Sequence, residues 1–291
     1  MGTIYKTEEG KSRLAEYYET YTKSLKIPFE RDFVETTFGR THVLVTGPKD
    51  GKPLFILQGG NCINPMTLSW FSSLLDTYRV YSPDTIGHPG LSSENRTSAK
   101  DESFALWISD LMDYYQIESA AFAGPSHGGG IILLLAAHIP ERIACSLLFA
   151  PAGIVLNSKR EMIKRILIPL LLYKWNGSAK HLKKITDAMS LNSMKPLDAA
   201  IIGEIFRSVK LEKEMPKIAN KADLENYAAP TMVIGCKEDV FFPGEKLTQR
   251  ASEIFPHLPV CNLYNCGHFS NSETLAEINS DMKAFLENYY R

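Results

Sequence analysis

Side chains in separate parts of the chain could together perform nucleophilic catalysis, and Ser126 is the first of them. It stands in GPSHG, between the apolar runs AAFA and IILLLAAH. A serine hydroxyl is a weak nucleophile near neutral pH, so it needs an adjacent base and a group that orients this base. The pattern G-x-S-x-G at a strand-to-helix junction exposes the hydroxyl at the carboxyl end of a sheet. The alternative is a glycine-rich connection with a passive serine.

The base and its orienting group are expected after two later strands. His268 follows the last predicted strand in NCGH, just before the C-terminal helix, and so belongs at the same sheet edge as the serine. His127 is the nearest competitor, but its side chain is poorly aimed at its own neighbour. Asp239 comes directly after the strand TMVIG, in GCKEDVFFP, and is the predicted third member, with Glu238 as the alternative.

Two backbone N–H groups are predicted to form an oxyanion hole. The first is the N–H of His127, which follows the nucleophile and points with the helix N-terminus toward a developing oxyanion. The second comes from the loop QGGN after the third strand, where we assign Gly60, with Asn61 as the alternative. A phosphate-binding loop is disfavoured, because this segment has neither Lys-Ser/Thr nor a G-x-G-x-x-G run.

The elements that must position these groups follow an alternating pattern. Residues 7–25 have apolar side chains at helical spacing, and ERDFVETTF with THVLVTG indicates a hairpin. Short, continuously apolar strands then alternate with helices, which include TLSWFSSLL and a helix after Gly128. This alternation predicts an α/β fold with a mostly parallel sheet and helices on both faces.

The alternation stops between residues 154 and 225 and resumes afterwards. This segment has no strong strand pattern, and proline and glycine divide it into several predicted helices. We therefore expect one α/β core, made of residues 1–153 and 226–291, with residues 154–225 as an insertion over the sheet. The start of the insertion is basic, through Lys159, Arg160, Lys164, Arg165, Lys174, Lys180, Lys183 and Lys184.

The composition of the chain limits the binding partners and the cell compartment that we expect for it. The 32 basic and 33 acidic residues give a net charge of -1, so no overall field attracts nucleic acid or anionic lipid. The five cysteines are scattered without a CxxC pair, which favours reduced and mostly buried thiols. No signal-peptide pattern and no run long enough for membrane insertion is present, so we expect a soluble cytoplasmic protein.

The chain resembles the α/β-hydrolase superfamily over almost its whole length. Within the superfamily it most resembles bacterial lid-bearing carboxylesterases. The resemblance rests on QGGN, SPDTIGHPGLS in place of the family's D-x-x-G-x-G-x-S loop, GPSHGG, GCKEDVFFP and CGHFSNSE. The order serine, aspartate, histidine is that of the family's triad. The chain departs from the family at Gln58, where histidine is usual, at Pro89, where glycine is usual, and at Pro125, which is uncommon there.

The resemblance implies an α/β-hydrolase fold with an eight-stranded, mostly parallel sheet and a helical lid formed by residues 154–225. The expected function is hydrolysis of a small-molecule carboxylic ester through an acyl-enzyme intermediate, without a metal or organic cofactor. Carbon–carbon bond hydrolysis, thioester hydrolysis and perhydrolysis by the same triad stay open, as does a non-catalytic receptor that binds a small molecule. The chain is expected to be a monomer or a homodimer.

Overall fold

A mostly parallel eight-stranded sheet forms the centre of the computed structural model, which describes residues 2–291. The strand order is β1-β2-β4-β3-β5-β6-β7-β8; β2 is antiparallel to β1 and to β4, and the remaining pairs are parallel. The strands are β1 Glu30–Thr36, β2 Gly39–Thr46, β3 Pro53–Ile56, β4 Arg79–Pro83, β5 Ala120–Pro125, β6 Ile143–Phe149, β7 Thr231–Cys236 and β8 Val260–Tyr264.

Helices cover both faces of this sheet. Every residue of β5 and of β7 is buried, as expected for inner parallel strands that carry a continuous apolar run. The helices are α1 Glu8–Ser24, α2 Asn64–Leu68, α3 Ser103–Tyr114, α4 His127–His138, α5 Lys159–Met162, α6 Ile168–Asn176, α7 Ala179–Ser190, α8 Pro196–Ser208, α9 Gly244–Ile254 and α10 Ser272–Tyr289. The predicted α/β architecture is therefore confirmed.

The N-terminal helix α1 packs on its own chain. Its Thr7 N-cap accepts a hydrogen bond from the N–H of Gly10, and the apolar spacing noted in the sequence forms its buried face. The Tyr21 hydroxyl donates to Asp198 of α8 at 2.8 Å, and Arg13 pairs with Glu204 of the same helix at 2.9 Å. Helix α1 thus joins the segment between β6 and β7 to the core.

One predicted helix is interrupted. TLSWFSSLL forms the end of α2 and a 3₁₀ segment, Ser69–Leu74, with a kink at Phe71. The side chain of Asn279 on α10 explains the break, because it accepts from the N–H of Ser73 at 3.1 Å and donates to the carbonyl of Trp70 at 2.8 Å. These bonds replace the regular α-helical pattern at this point.

Candidate active site

Ser126 lies in a strained turn between β5 and α4. Its φ of 51° and ψ of -117° are unusual for a residue with a side chain. A Cβ atom added at Gly124 would lie 2.7 Å from the carbonyl carbon of Gly128, and one added at Gly128 would lie 2.3 Å from the carbonyl oxygen of Leu57. Only glycine fits at these two positions, so the turn can bring the serine to the sheet edge.

The backbone around Ser126 is fixed by hydrogen bonds. Its N–H donates to the carbonyl of Phe149 at 2.9 Å, and its carbonyl accepts from Gly130 at 3.0 Å and from Ala152 at 2.9 Å. The serine lines a cavity at the carboxyl end of the sheet. A fixed backbone holds the hydroxyl in one place relative to that cavity.

His268 and Asp239 meet at the same edge. The imidazole Nδ1 and the carboxylate Oδ2 lie 2.7 Å apart, and both side chains are buried. The other carboxylate oxygen of Asp239 accepts from the N–H groups of Phe241 at 2.7 Å and Phe242 at 3.1 Å, which fixes its orientation. Glu238 is exposed, so of the two predicted acids Asp239 is the one at the imidazole.

Aromatic rings surround the imidazole of His268. The ring centroids of Phe241, Phe269 and Phe242 lie 4.9, 5.8 and 5.7 Å from it, and that of Trp70 lies 6.3 Å away. His268 itself lines the cavity that Ser126 lines. Because Nδ1 is engaged with the carboxylate, Nε2 is the nitrogen left for proton exchange with a group in that cavity.

The two predicted oxyanion donors lie side by side. A Cβ atom added at Gly60 would lie 3.0 Å from the Cβ of His127, and both residues line the cavity. The neighbouring N–H of Gly59 already donates to the hydroxyl of Thr67 at 3.1 Å. Gly60 lacks the side chain that would separate its backbone from His127, and this allows the close approach.

The imidazole of His127 does not take part in the His268–Asp239 pair. It is buried against His88, with ring centroids 4.7 Å apart, and against Phe104 at 5.7 Å. Burial lowers the pKa of His127 to about 4 and, together with repulsion from His127, lowers the pKa of His88 well below its usual value. Both rings are therefore neutral at pH 7.

Asn61 has a role that the sequence did not indicate. Its side chain accepts from the N–H of Glu212 at 2.9 Å and donates to the carbonyl of the same residue at 3.3 Å. Glu212 lies in the stretch after α8 and also pairs with Arg96 at 3.0 Å. A reciprocal pair of hydrogen bonds thus joins the loop that carries Gly60 to a distant part of the chain.

Gln58, one of the departures from the family pattern, is fully buried and satisfied. Its amide nitrogen donates to the carbonyls of Cys62 at 2.6 Å and Pro89 at 3.0 Å, and its oxygen accepts from the N–H of Thr85 at 2.7 Å. The glutamine joins the loop after β3 to the loop after β4. It therefore stabilises the geometry around Gly60 without a histidine at this position.

The cavity has a volume of about 230 Å³ and is mainly apolar. Residues from the segment between β6 and β7 form much of its wall, and Trp70, Phe241 and Phe269 face them from the core. Within residues 2–291, no lysine or arginine lines this space. The contributing residues of that segment are Ile166, Leu170, Met189, Ile202, Phe206, Leu211, Glu212, Glu214 and Met215.

Known proteins are similar to this chain in sequence and in fold. A family model described as the alpha/beta hydrolase fold matches residues 52–194. Carboxylesterase YbfK of Bacillus subtilis (strain 168) is 26% identical over 280 residues, which cover 93% of this chain and 93% of the relative. The chain has the α/β-hydrolase fold. A second relative of this α/β hydrolase, "Uncharacterized carboxylesterase nap" from the same organism, is 24% identical and covers 93% of the chain and 92% of the relative.

Solved structures share this fold. The crystal structure of naproxen esterase (carboxylesterase NP) from Bacillus subtilis superposes on this α/β hydrolase with a TM-score of 0.83 at 20% identity, covering 97% of this chain and 99% of the other. Carboxylesterase CesB (YbfK) from Bacillus subtilis gives 0.79 at 23% identity, with 96% and 98% covered. The α/β-hydrolase fold is thus shared along nearly the whole chain.

Proposed function

We propose that this α/β hydrolase cleaves uncharged carboxylic esters through an acyl-enzyme intermediate. One observation carries the proposal: the hydrogen-bonded pair of His268 and Asp239 opens onto the same cavity as Ser126, which stands in a strained turn. Nucleophile, base and orienting acid are the parts that this chemistry requires. The relatives named carboxylesterase support an ester as the substrate.

In this mechanism Ser126 Oγ attacks the ester carbonyl carbon while His268 Nε2 removes the hydroxyl proton. The tetrahedral intermediate then collapses, the bond to the alkoxy oxygen breaks, and the imidazolium returns the proton to the departing alcohol. Water repeats the sequence on the acyl-enzyme and releases the acid. Asp239 fixes the imidazole tautomer and stabilises its protonated form through the 2.7 Å contact.

The negative oxygen of the intermediate is assigned to the backbone N–H groups of His127 and Gly60. Backbone donors that are already in place cost little reorganisation when the charge develops. Each donor of this kind contributes about 3 kcal/mol of transition-state stabilisation. The closeness of the two residues, with Gly60 against the Cβ of His127, supports the assignment.

The cavity wall favours an uncharged and largely apolar substrate. Transfer of a carboxylate into this space would cost several kcal/mol without a cation beside it. The neutral rings of His88 and His127 supply no positive charge. The carboxylates of Glu212 and Glu214 are each paired with a cation, at 3.0 and 3.6 Å, and these cations are therefore not free to pair with a substrate carboxylate. Apolar acyl groups instead gain from contact with the aromatic and aliphatic wall.

We also propose that residues 154–225 act as a lid on a core made of residues 1–153 and 226–291. The helices α5 to α8 belong to this segment, and Ile166, Leu170 and Phe206 contribute to the roof of the cavity. The carbonyl of Met189 accepts from the N–H of Phe269 at 2.9 Å, so the segment directly contacts the loop that carries the base. Such contacts make the shape of the acyl pocket depend on the segment.

The proposal is tested with the substitution Ser126→Ala. We expect it to remove nearly all hydrolysis of p-nitrophenyl butyrate and all labelling by a fluorophosphonate, while the thermal unfolding midpoint stays close to that of the wild type. The exposed serine in Ser252→Ala serves as the matched control and should leave both readouts unchanged. Hydrolysis by the Ser126→Ala protein at the wild-type rate would contradict the role of this serine.

Two further results would separate the alternatives. A panel of esters, thioesters, amides and vinylogous diketones identifies the scissile bond, because the triad itself does not determine it. A folded wild-type protein that neither turns over any member of the panel nor reacts with the fluorophosphonate would instead indicate a receptor that binds without catalysis.

A further inference from the structure

Helix α5, a π-helical stretch at Ile163–Leu167 and helix α6 form one helical segment from Lys159 to Asn176. This segment is apolar on two opposite sides. Its inner side is used by the fold, since Ile166 and Leu170 line the cavity and Tyr173 is buried. Its outer side is exposed: Trp175 is 83% accessible and Leu171 is 56% accessible. The term outer face is used below for the exposed large apolar residues on this segment: Ile163, Leu167, Ile168, Leu171, Leu172 and Trp175.

This outer face has the spacing of a single stripe along the helix. Two rows with spacings of three or four residues, 163, 167 and 171 and then 168, 172 and 175, run next to each other and place these side chains on one side of the axis. A globular protein normally places charged or polar residues on the solvent side of such a helix. A continuous exposed apolar stripe is instead characteristic of a surface that is covered by a partner.

Cations flank the outer face and indicate the chemistry of that partner. Lys159, Arg160, Lys164, Arg165 and Lys174 belong to the same helical segment, in which Glu161 is the only acidic residue between 159 and 176. Next to the stripe lies a groove whose lining includes Leu167 and Leu171. Its charged lining residues are five cations and two carboxylates, so the groove is positive on balance: Lys6, Arg96, Lys174, Lys210, Lys213, Glu94 and Glu212.

Several of these lysines are close enough to repel one another. The pKa of Lys6 is lowered by desolvation and by the charge of Lys174, and the pKa of Lys174 is lowered by desolvation and by the charge of Lys213. Positive charges gathered in this way next to apolar side chains are expected to be stabilised by an anionic partner.

We propose that the outer face binds the surface of an anionic phospholipid bilayer. The helix would lie in the interface plane, with its leucines and Trp175 among the upper acyl chains and its lysines and arginines at the lipid phosphates. The indole is suited to this depth because it is apolar with one polar N–H. None of the helices within residues 2–291 has the length and apolar composition needed to cross a bilayer.

A second copy of the chain fits this surface less well. In a symmetric dimer the same patch meets itself, so each set of cations would face an identical set. Like charges placed opposite each other are unfavourable in an interface. A bilayer that contains anionic lipid is complementary to both the apolar stripe and the charges around it.

The fluorescence of Trp175 gives a direct measurement of membrane binding. Of the three tryptophans, Trp70 and Trp107 are buried, so a change in emission upon membrane binding reports on Trp175. Vesicles of phosphatidylcholine alone are compared with vesicles of two parts phosphatidylcholine and one part phosphatidylglycerol. With the anionic vesicles we expect co-sedimentation, a blue shift of the emission and quenching by brominated acyl chains, all suppressed by high salt.

Matched variants separate the apolar and the electrostatic contributions. Leu171→Asn combined with Trp175→Asn should weaken partitioning at least about tenfold, as read by co-sedimentation, because apolar burial drives insertion into the interface. Leu106→Asn on α3 is the control, since Leu106 is 46% exposed outside this surface. Lys164→Gln with Arg165→Gln should weaken binding to anionic vesicles, whereas Lys246→Gln on α9 should not.

Several outcomes would overturn the proposal. One is that the wild-type protein stays in the supernatant with both vesicle types. Another is that the wild type binds vesicles and the outer-face variants bind equally well. A dimer in sedimentation velocity that the Leu171→Asn, Trp175→Asn variant abolishes, without any vesicle binding, would assign the face to a second copy. Vesicle binding needs no substrate, so Ser126→Ala should bind like the wild type, and the result is independent of the proposed hydrolysis.

Discussion

The contacts of Asp239 explain why the proposed mechanism requires a carboxylate at this residue. One oxygen accepts two backbone N–H groups, so the other is directed at Nδ1 of His268. A carboxylate accepts at both oxygens, whereas an amide must present its NH₂ on one side. The N–H groups of Phe241 and Phe242 need an acceptor, so the oxygen of an amide at this residue would face them and its NH₂ would face His268.

Asp239→Asn is therefore expected to turn its NH₂ toward the imidazole. That arrangement favours the tautomer with the proton on Nε2, which cannot accept the proton of Ser126, and kcat should fall by about 10⁴-fold. Steady-state kinetics with p-nitrophenyl butyrate measures the effect, and Glu238→Gln is the neighbouring control. If both variants lose activity to the same small extent, Asp239 does not orient the base.

At the scale of elements, the loop after β3 and the stretch after α8 form one unit around the proposed oxyanion hole. Asn61 joins them through its two hydrogen bonds with Glu212, and it has a φ of 48° in the left-handed region. Glycine adopts this conformation without a steric cost. The substitution Asn61→Gly therefore removes the side chain and leaves the backbone unstrained.

We predict that Asn61→Gly lowers kcat by about tenfold and changes KM by less than about threefold, because a misplaced Gly60 N–H affects the transition state more than the bound ester. The same variant should lose affinity for an alkylboronic acid, which imitates the tetrahedral intermediate. Asn61→Asp keeps the acceptor for the Glu212 N–H and should recover part of kcat. An increase in KM with kcat unchanged would show that Asn61 only shapes the substrate pocket.

The sequence predicted the strands and the loops at their carboxyl ends because inner parallel strands are continuously apolar and each is followed by a polar loop. This places Ser126, Asp239 and His268 at one edge, where the structure has them. Contacts between distant segments leave no local pattern. The Asn61–Glu212 pair spans 151 residues, and the break of α2 depends on Asn279 of the last helix.

The outer face of the 159–176 segment was likewise not predictable from the sequence alone. The apolar run ILIPLLLYKW is visible in the sequence, but which of its side chains meet the cavity and which meet solvent depends on the position of the helix. Helix α1 helps to set that position through α8, because the Tyr21 hydroxyl bonds to Asp198. The predicted boundaries of the insertion, the cytoplasmic location and the oligomeric state stay predictions.

At the scale of the whole molecule, the buried pair His88 and His127 makes stability depend on pH. The unfolded chain binds protons at these rings below about pH 6.5, whereas the folded chain keeps them neutral, with the pKa of His127 at about 4. Stability is therefore complete above pH 6.5 and falls as the pH drops toward 4. With its pKa at about 4, the His127 ring should lower the unfolding free energy by about 2 kcal/mol between pH 7 and pH 5, and His88 should lower it further.

Urea unfolding at the two pH values measures this dependence. His88→Phe removes one of the two buried groups while it keeps a ring against His127, so the difference in unfolding free energy between pH 7 and pH 5 should shrink. His257 is exposed, and His257→Phe should leave the difference as it is in the wild type. An identical pH dependence in all three proteins would show that the pair is not the cause.

The cavity and its surroundings together determine which charge a substrate can carry. Cations gather on the outside of the 159–176 segment, whereas within residues 2–291 none lines the cavity beneath it. A carboxylate attached to the acyl chain would have to leave water and enter an apolar space whose own lining carboxylates, Glu212 and Glu214, already engage the neighbouring cations. The cost of that step is several kcal/mol, and it lowers the stability of the bound state and of the transition state alike.

We therefore expect kcat/KM for the mono-p-nitrophenyl ester of adipic acid to be at least about a hundredfold below that for p-nitrophenyl hexanoate, which has the same acyl length. Met215→Lys places a cation at the cavity and should recover part of the loss for the anionic ester, whereas Ile218→Lys, at a site 46% exposed and outside the lining, should not. Equal rates on the two esters in the wild type would mean that the acyl chain does not enter this cavity, because only a chain that stays in water keeps its carboxylate hydrated.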